Sequence, residues 1–161
     1  MTQEAPIRAA IIPVTPFQQN CSLVWCSKTM RGVLVDPGGE LDKLKDAVSR
    51  AGVTLEKILL THGHADHCGQ AGMLAKELGL PIEGPHEEDR FWISQLEDDG
   101  PRFGMTCEVF EPDRWLKDGD TVSFGEVTME VLHCPGHTPG HVVFFHRPTG
   151  FAFVGDVLFQ G

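Results

Sequence analysis

Six of the eight histidines in this 161-residue chain fall in two short windows, His62 to His67 and His133 to His141. Each window opens directly behind an apolar run, which places it on a loop at the C-terminal end of a strand, where open α/β sheets build their sites. The surrounding pattern supplies the strands. Ala9 to Val14, Cys21 to Cys26, Gly32 to Val35 and Lys57 to Leu60 are short apolar runs ahead of the first window. The polar turn Ser27 to Arg31 predicts a hairpin between the second and third of them. Val122 to Phe124, Val127 to Leu132, Val142 to Phe145 and Phe151 to Val154 surround the second window, and Pro81-Ile82 starts one more short strand. Helices are predicted over Glu40 to Ala51, where Leu41, Leu44 and Val48 share a face and Gly52 stops the run, over Gln70 to Leu78, stopped by Gly79, and over Glu87 to Leu96. Residues Asp98 to Asp113 read as irregular, with Pro101, Gly104 and Pro112 as breakers. Strands mixed with helices, some joined as hairpins, make an α/β domain with a mixed sheet.

Composition narrows the function. The 13 Lys and Arg against 23 Asp and Glu give a net charge of -10, and no basic cluster interrupts it, which argues against a nucleic-acid partner. An acidic chain that binds an anion needs a local positive centre, such as a metal ion. No apolar run approaches the roughly 18 residues of a membrane span. The first residues carry Glu4 and lack a basic stretch followed by a long apolar one, so no secretory signal is expected. Five cysteines, odd in number and without a CxxC pair, do not make a disulfide framework, and a reducing cytoplasm is the expected compartment.

The first window, Thr61-His62-Gly63-His64-Ala65-Asp66-His67, packs four metal-ligand side chains into six residues, spaced by small ones. In an extended segment His62 and His64 point the same way, so two imidazoles can meet one ion. Asp66 and His67 are adjacent and need the chain to turn, which suits a second ion beside the first. Imidazole with carboxylate is ligand chemistry for zinc, iron or manganese, not calcium. In the second window, Pro135, Gly136, Pro139 and Gly140 fix a tight loop around His137, the expected third ligand of the first ion. His141 is expected to orient a ligand by hydrogen bonding. His133 is expected to be a buried structural residue, and Cys134 a small packed thiol. Asp156, directly behind the Phe151 to Val154 run, is the expected bridging carboxylate. Phe91, Trp92, Phe103 and Trp115 are weighed as cleft lining and expected mostly in the core.

THGHADH resembles the HxHxDH signature of metallo-β-lactamase-fold hydrolases, and CPGHTPGH with Gly155-Asp156 matches the later motifs of that superfamily in order and spacing. IIPVTPFQQNCSLVW, DPGG, LLTHGHADHCG, DRWLKDGD and LHCPGHTPGHVVFF are similar to its glyoxalase II-like branch, the hydroxyacylglutathione hydrolases, and within it to the short single-domain (YcbL-type) proteins. The resemblance implies an αββα sandwich with mixed sheets and metals at the sheet edges. It implies His62, His64 and His137 on one zinc ion, with Asp66, His67 and bridging Asp156 on the other, iron or manganese being the alternatives. It also implies hydrolysis of S-acylglutathione thioesters such as S-lactoylglutathione by a metal-activated hydroxide that Asp66 orients, making Asp66 the catalytic residue. A thioester suits this design because a thiolate leaves without an obligatory general acid. Family members continue past the Gly-Asp pair and supply another ligand histidine there, so residues 1–161 are expected to form one domain lacking its C-terminal part. The competing readings are a persulfide dioxygenase with a single iron, a lactonase or β-lactamase on the same core, and a non-catalytic metal-stabilised module.

Overall fold

The computed structural model describes residues 7–15, 19–102, 104–136, 138–153 and, as backbone, 158–160. Two five-stranded sheets organise them. In the first, β1 (Ile7–Val14), β2 (Gln19–Cys26) and β3 (Arg31–Val35) run antiparallel, and β4 (Thr54–Leu59) and β5 (Ile82–Glu83) add in parallel. The parallel step from β3 to β4 needs a crossover, which helix α1 (Leu41–Ala51) supplies. The second sheet is an antiparallel meander of β6 (Thr121–Phe124), β7 (Val127–His133), β8 (Val142–His146), β9 (Phe151–Phe153) and β10 (Leu158–Gln160). The expected mixed sheet is thus the first of the two. The hairpin of β2 and β3 is as predicted, with Ser22 opposite Val35.

Alternation along the strands builds the layers, since successive side chains take opposite faces. Val24, Val33, Val35 and Leu59 from the first sheet pack against Val122, Phe124, Met129, Val131 and Phe144 from the second, closing the sandwich. Their neighbours Leu23, Leu34 and Ile58 face the other way, into a second core made with the helices. Besides α1, which gives Leu44, these are α2 (Ala65–Cys68), α3 (Ala71–Leu78), α4 (Arg90–Ser94) and α5 (Leu96–Arg102). They contribute Ala65 and Cys68, Ala71 and Leu74, Ile93, and Leu96 to that core in turn. The described helices therefore cover the outer face of the first sheet in an α/β sandwich. None of them is long and apolar enough to cross a membrane.

Several local expectations are corrected. Strand β4 starts at Thr54 rather than Lys57, because Arg31 of its parallel partner pairs with Thr54. The predicted helix over Glu87 to Leu96 is a 3-10 turn (Glu87–Asp89) and α4, interrupted at Gln95 before α5. The Ser94 hydroxyl donates to the Phe91 carbonyl (2.6 Å), and the Gln95 amide makes a tight bond to Trp92, so the ladder breaks there. Helix α5 then runs through Pro101, within the stretch expected to be irregular. Proline sits one residue from the helix end, where it forfeits a single ladder bond. The polar segment after β4 also holds the short helix α2.

Candidate metal centre

The first window starts where β4 ends. His64 is extended, and the His62 and His64 rings stand edge to face with centroids 5.1 Å apart. The turn that Asp66 and His67 require is α2, which bonds the His67 and Cys68 amides back to the His64 carbonyl (both 3.0 Å). This returns the His67 ring to within 4.1 Å of the His62 ring. The second window is the connection from β7 to β8. A bond from the Cys134 amide to the His141 carbonyl (2.8 Å) closes its neck, and one from the Val142 amide to the Thr61 carbonyl (2.8 Å) sews it to the first window. His141 then lies beside His62, with ring centroids 4.8 Å apart. Four imidazoles from two distant stretches of chain thus meet where both sheets end.

The residue that organises them is Asp36, in the DPGG loop behind β3, and sequence reasoning gave it no role. It is fully buried and takes a φ of 59°, a left-handed conformation that aspartate tolerates better than most residues. One carboxylate oxygen accepts the Thr61 amide (2.8 Å), and the other accepts the Thr61 hydroxyl (2.6 Å) and His67 Nδ1 (3.0 Å). The Thr61 oxygen, its proton committed to the carboxylate, accepts in turn from His62 Nδ1 (2.9 Å). A carboxylate only accepts, so both rings carry a proton on Nδ1, and in their neutral form the lone pair is then on Nε2. Histidines that bind metals are oriented in this way, by giving the second ring N–H to a carboxylate or a relay to one.

Ligand atoms of Asp36, His62 and His67 lie within 4.8 Å of one another, a grouping able to hold an ion. Three donors are already aimed at Asp36, an arrangement that fits an orienting group with the ring nitrogens left to face an ion. Asp66 supports this division. Its carboxylate lies 3.6 Å from His67 Nε2, a pairing of ring nitrogen and anionic oxygen that a bound cation would bridge. Two ligands held about 2.1 Å from one tetrahedral ion are about 3.4 Å apart, close to that separation. Gly38 brings the DPGG loop against Asp66 so tightly that a Cβ would stand 2.0 Å from the Asp66 carbonyl oxygen. Burial, and after it the Asp36 charge, push the neighbouring Cys68 thiol well up.

The structure therefore brings together His62, His64, Asp66 and His67, with His62 and His67 buried and the other two half-buried. His137 and Asp156 lie outside the described residues. Three minor expectations are corrected. Cys134 is exposed rather than packed, because its backbone serves the loop neck while its side chain faces out. His133 is half-buried, stacked on His86 (4.1 Å, 6° between planes), and its Nε2 donates to the Pro139 carbonyl (2.8 Å). Of the aromatic residues weighed for the cleft, Trp115 packs half-buried against the helix-side core, and Phe91 and Trp92 do not. Phe91 is 61% exposed, Trp92 stands edge-on to His64 (5.0 Å), and Trp115 carries the Arg90 guanidinium over its face (4.9 Å). Phe103 lies outside the described residues.

Comparison with known proteins identifies the family and the fold. Residues 14–161 match the family described as the metallo-beta-lactamase superfamily. The chain is 44% identical over 153 residues to the hydroxyacylglutathione hydrolase GloC of Haemophilus influenzae, covering 94% of this chain and 72% of that protein. Among solved structures it is similar to the BLEG-1 B3 metallo-beta-lactamase, with a TM-score of 0.81 and 31% identity over 95% of this chain and 74% of that one. It is also similar to TTHA1623 in a di-iron-bound form, with a TM-score of 0.80 and 35% identity over 94% of this chain and 74% of the other.

Proposed function

The chain belongs to the metallo-beta-lactamase superfamily, and from that premise we propose that it is a metallo-hydrolase of the glyoxalase II type that cleaves S-acylglutathione thioesters, S-lactoylglutathione among them. The observation that carries the metal chemistry is the Asp36 relay, which gives His62 and His67 the Nε2 lone pair that a metal site needs. The substrate class rests on the likeness to GloC.

In this reading His62, His64 and His137 hold one zinc ion, and Asp66, His67 and Asp156 the second. The parts of His137 and Asp156 rest on their sequence motifs. The TTHA1623 likeness keeps iron as the alternative ion. Bound ions would supply a water-derived nucleophile at neutral pH and a Lewis acid for the acyl oxygen. The chain's own groups do the rest. Asp36 and Thr61 hold both buried rings in a fixed orientation, so little reorganisation is needed during the reaction. Asp66, half-buried beside His67, orients the attacking water and makes no demand for a separate strong base. The thiolate product leaves without a proton donor.

Purified protein with its metal content measured, assayed on S-lactoylglutathione and on a β-lactam, tests the proposal. A higher kcat/KM on the thioester supports it, and a clear preference for the β-lactam reverses it. Oxygen uptake with a glutathione persulfide, at one iron per chain, would replace it with the dioxygenase reading.

A further inference from the structure

Asp89 ends the 3-10 turn ahead of α4, away from both histidine windows in sequence, and is completely buried. Its carboxylate collects donors from both windows. One oxygen accepts the Gly63 amide (2.9 Å) and the Thr138 hydroxyl (2.7 Å), and the other accepts the Gly140 amide (2.7 Å). Gly63 is the spacer between His62 and His64, and Thr138 and Gly140 follow closely behind His137. All three of these partners are neutral donors.

We propose that Asp89 is a positioning residue of the metal centre, fastening the loop that carries His62 and His64 to the loop that carries His137. The inference rests on the metal reading above. Three donors converge from two directions, and only a group with two accepting oxygens and no hydrogen can take them all. An amide in its place would turn a donor onto at least one buried donor. The contact is also close on the second side. A Cβ at Gly140 would lie 2.6 Å from the Asp89 backbone nitrogen, so the loop is seated directly on the turn. The His86 amide donates to the Gly140 carbonyl (3.1 Å), a second tie between the same two segments. A site whose ligands come from separate loops depends on their separation, and supporting hydrogen bonds of this kind typically govern metal affinity about 10–100-fold. Nothing in the arrangement requires Asp89 to touch an ion or substrate.

The test measures zinc affinity by chelator competition in Asp89→Asn, Thr138→Val and Thr138→Ser, alongside Co2+ absorption spectra and urea denaturation of the metal-free proteins. We expect Asp89→Asn to lose about 10–100-fold in affinity and to shift the Co2+ bands. Thr138→Val removes one donor at nearly constant volume and should weaken binding less, with Thr138→Ser restoring it. If Asp89→Asn fails to fold, the Val and Ser pair decides alone. Variants with a lowered urea midpoint but unchanged affinity and Co2+ spectrum would show a purely structural role and overturn the inference. A wild-type chain that binds neither ion would instead overturn the metal reading on which it stands.

Discussion

Replacing Asp36 by asparagine changes one buried atom, and the structure dictates what that atom must do. The wild-type carboxylate accepts three hydrogen bonds, two of them on the oxygen shared by Thr61 Oγ1 and His67 Nδ1. In Asp36→Asn the new amide nitrogen can take either oxygen's place. If it takes the unshared position, it faces the Thr61 N–H, and a buried donor is orphaned. If it takes the shared position, His67 Nδ1 must accept, and its proton moves to Nε2, where a metal would bind. The first arrangement costs about 1–3 kcal/mol of folding stability. The second costs metal affinity, on the order of 10–100-fold as for other orienting groups behind a ligand histidine. Whichever arrangement wins, one of two measurements must move. Urea denaturation of the metal-free protein reads the first, and zinc competition at pH 7 reads the second. An Asp36→Asn variant with both wild-type stability and wild-type affinity would refute the relay and the tautomers assigned from it.

Other consequences are simpler. His62→Ala and His64→Ala should each abolish hydrolysis and lower bound metal, which elemental analysis reads directly; unchanged metal in both would remove them from the ligand set. Stripping metal with a chelator should lower the urea midpoint, because an ion at about a thousand times its Kd stabilises the folded form by about 4 kcal/mol. Phe144→Ala, which empties a fully buried place between the sheets, should cost about 3–5 kcal/mol in the same assay without changing the affinity of the folded protein for zinc. Burial lowers the pKa of His146 from its ordinary 6.5, so the folded chain favours the neutral ring. Its stabilising share is whole above that value, shrinks as the unfolded chain takes up the proton below it, and stops falling below the folded pKa. Stability measured from about pH 7 to 5 should therefore decline less steeply in His146→Gln than in the wild type.

What the sequence made legible is what is local in it. Helices α1 and α3 were readable because their apolar period ends at Gly52 and Gly79, both of which adopt the left-handed φ that a helix stop needs (71° and 67°). The clustering of the first window was readable because four ligand-type side chains fall within six residues, and the structure brings those four together. Cys134 and Phe91 were misjudged for the opposite reason, since residue type favours burying them and only the path of the β7–β8 loop and the outward face of α4 leave them exposed. Asp36 and Asp89 were missed altogether. Each is one acid in a chain rich in acids, and its partners stand 25 and 31 residues away for Asp36, and 26, 49 and 51 away for Asp89. No spacing rule reaches that far. Yet these two buried carboxylates bind the Nδ1 side of His67, the Thr61 hydroxyl beside His62, and backbone and side-chain donors of both histidine loops. In the proposed reading the motif supplies the ligands, and the fold, through Asp36 and Asp89, sets the orientation and separation that make them usable.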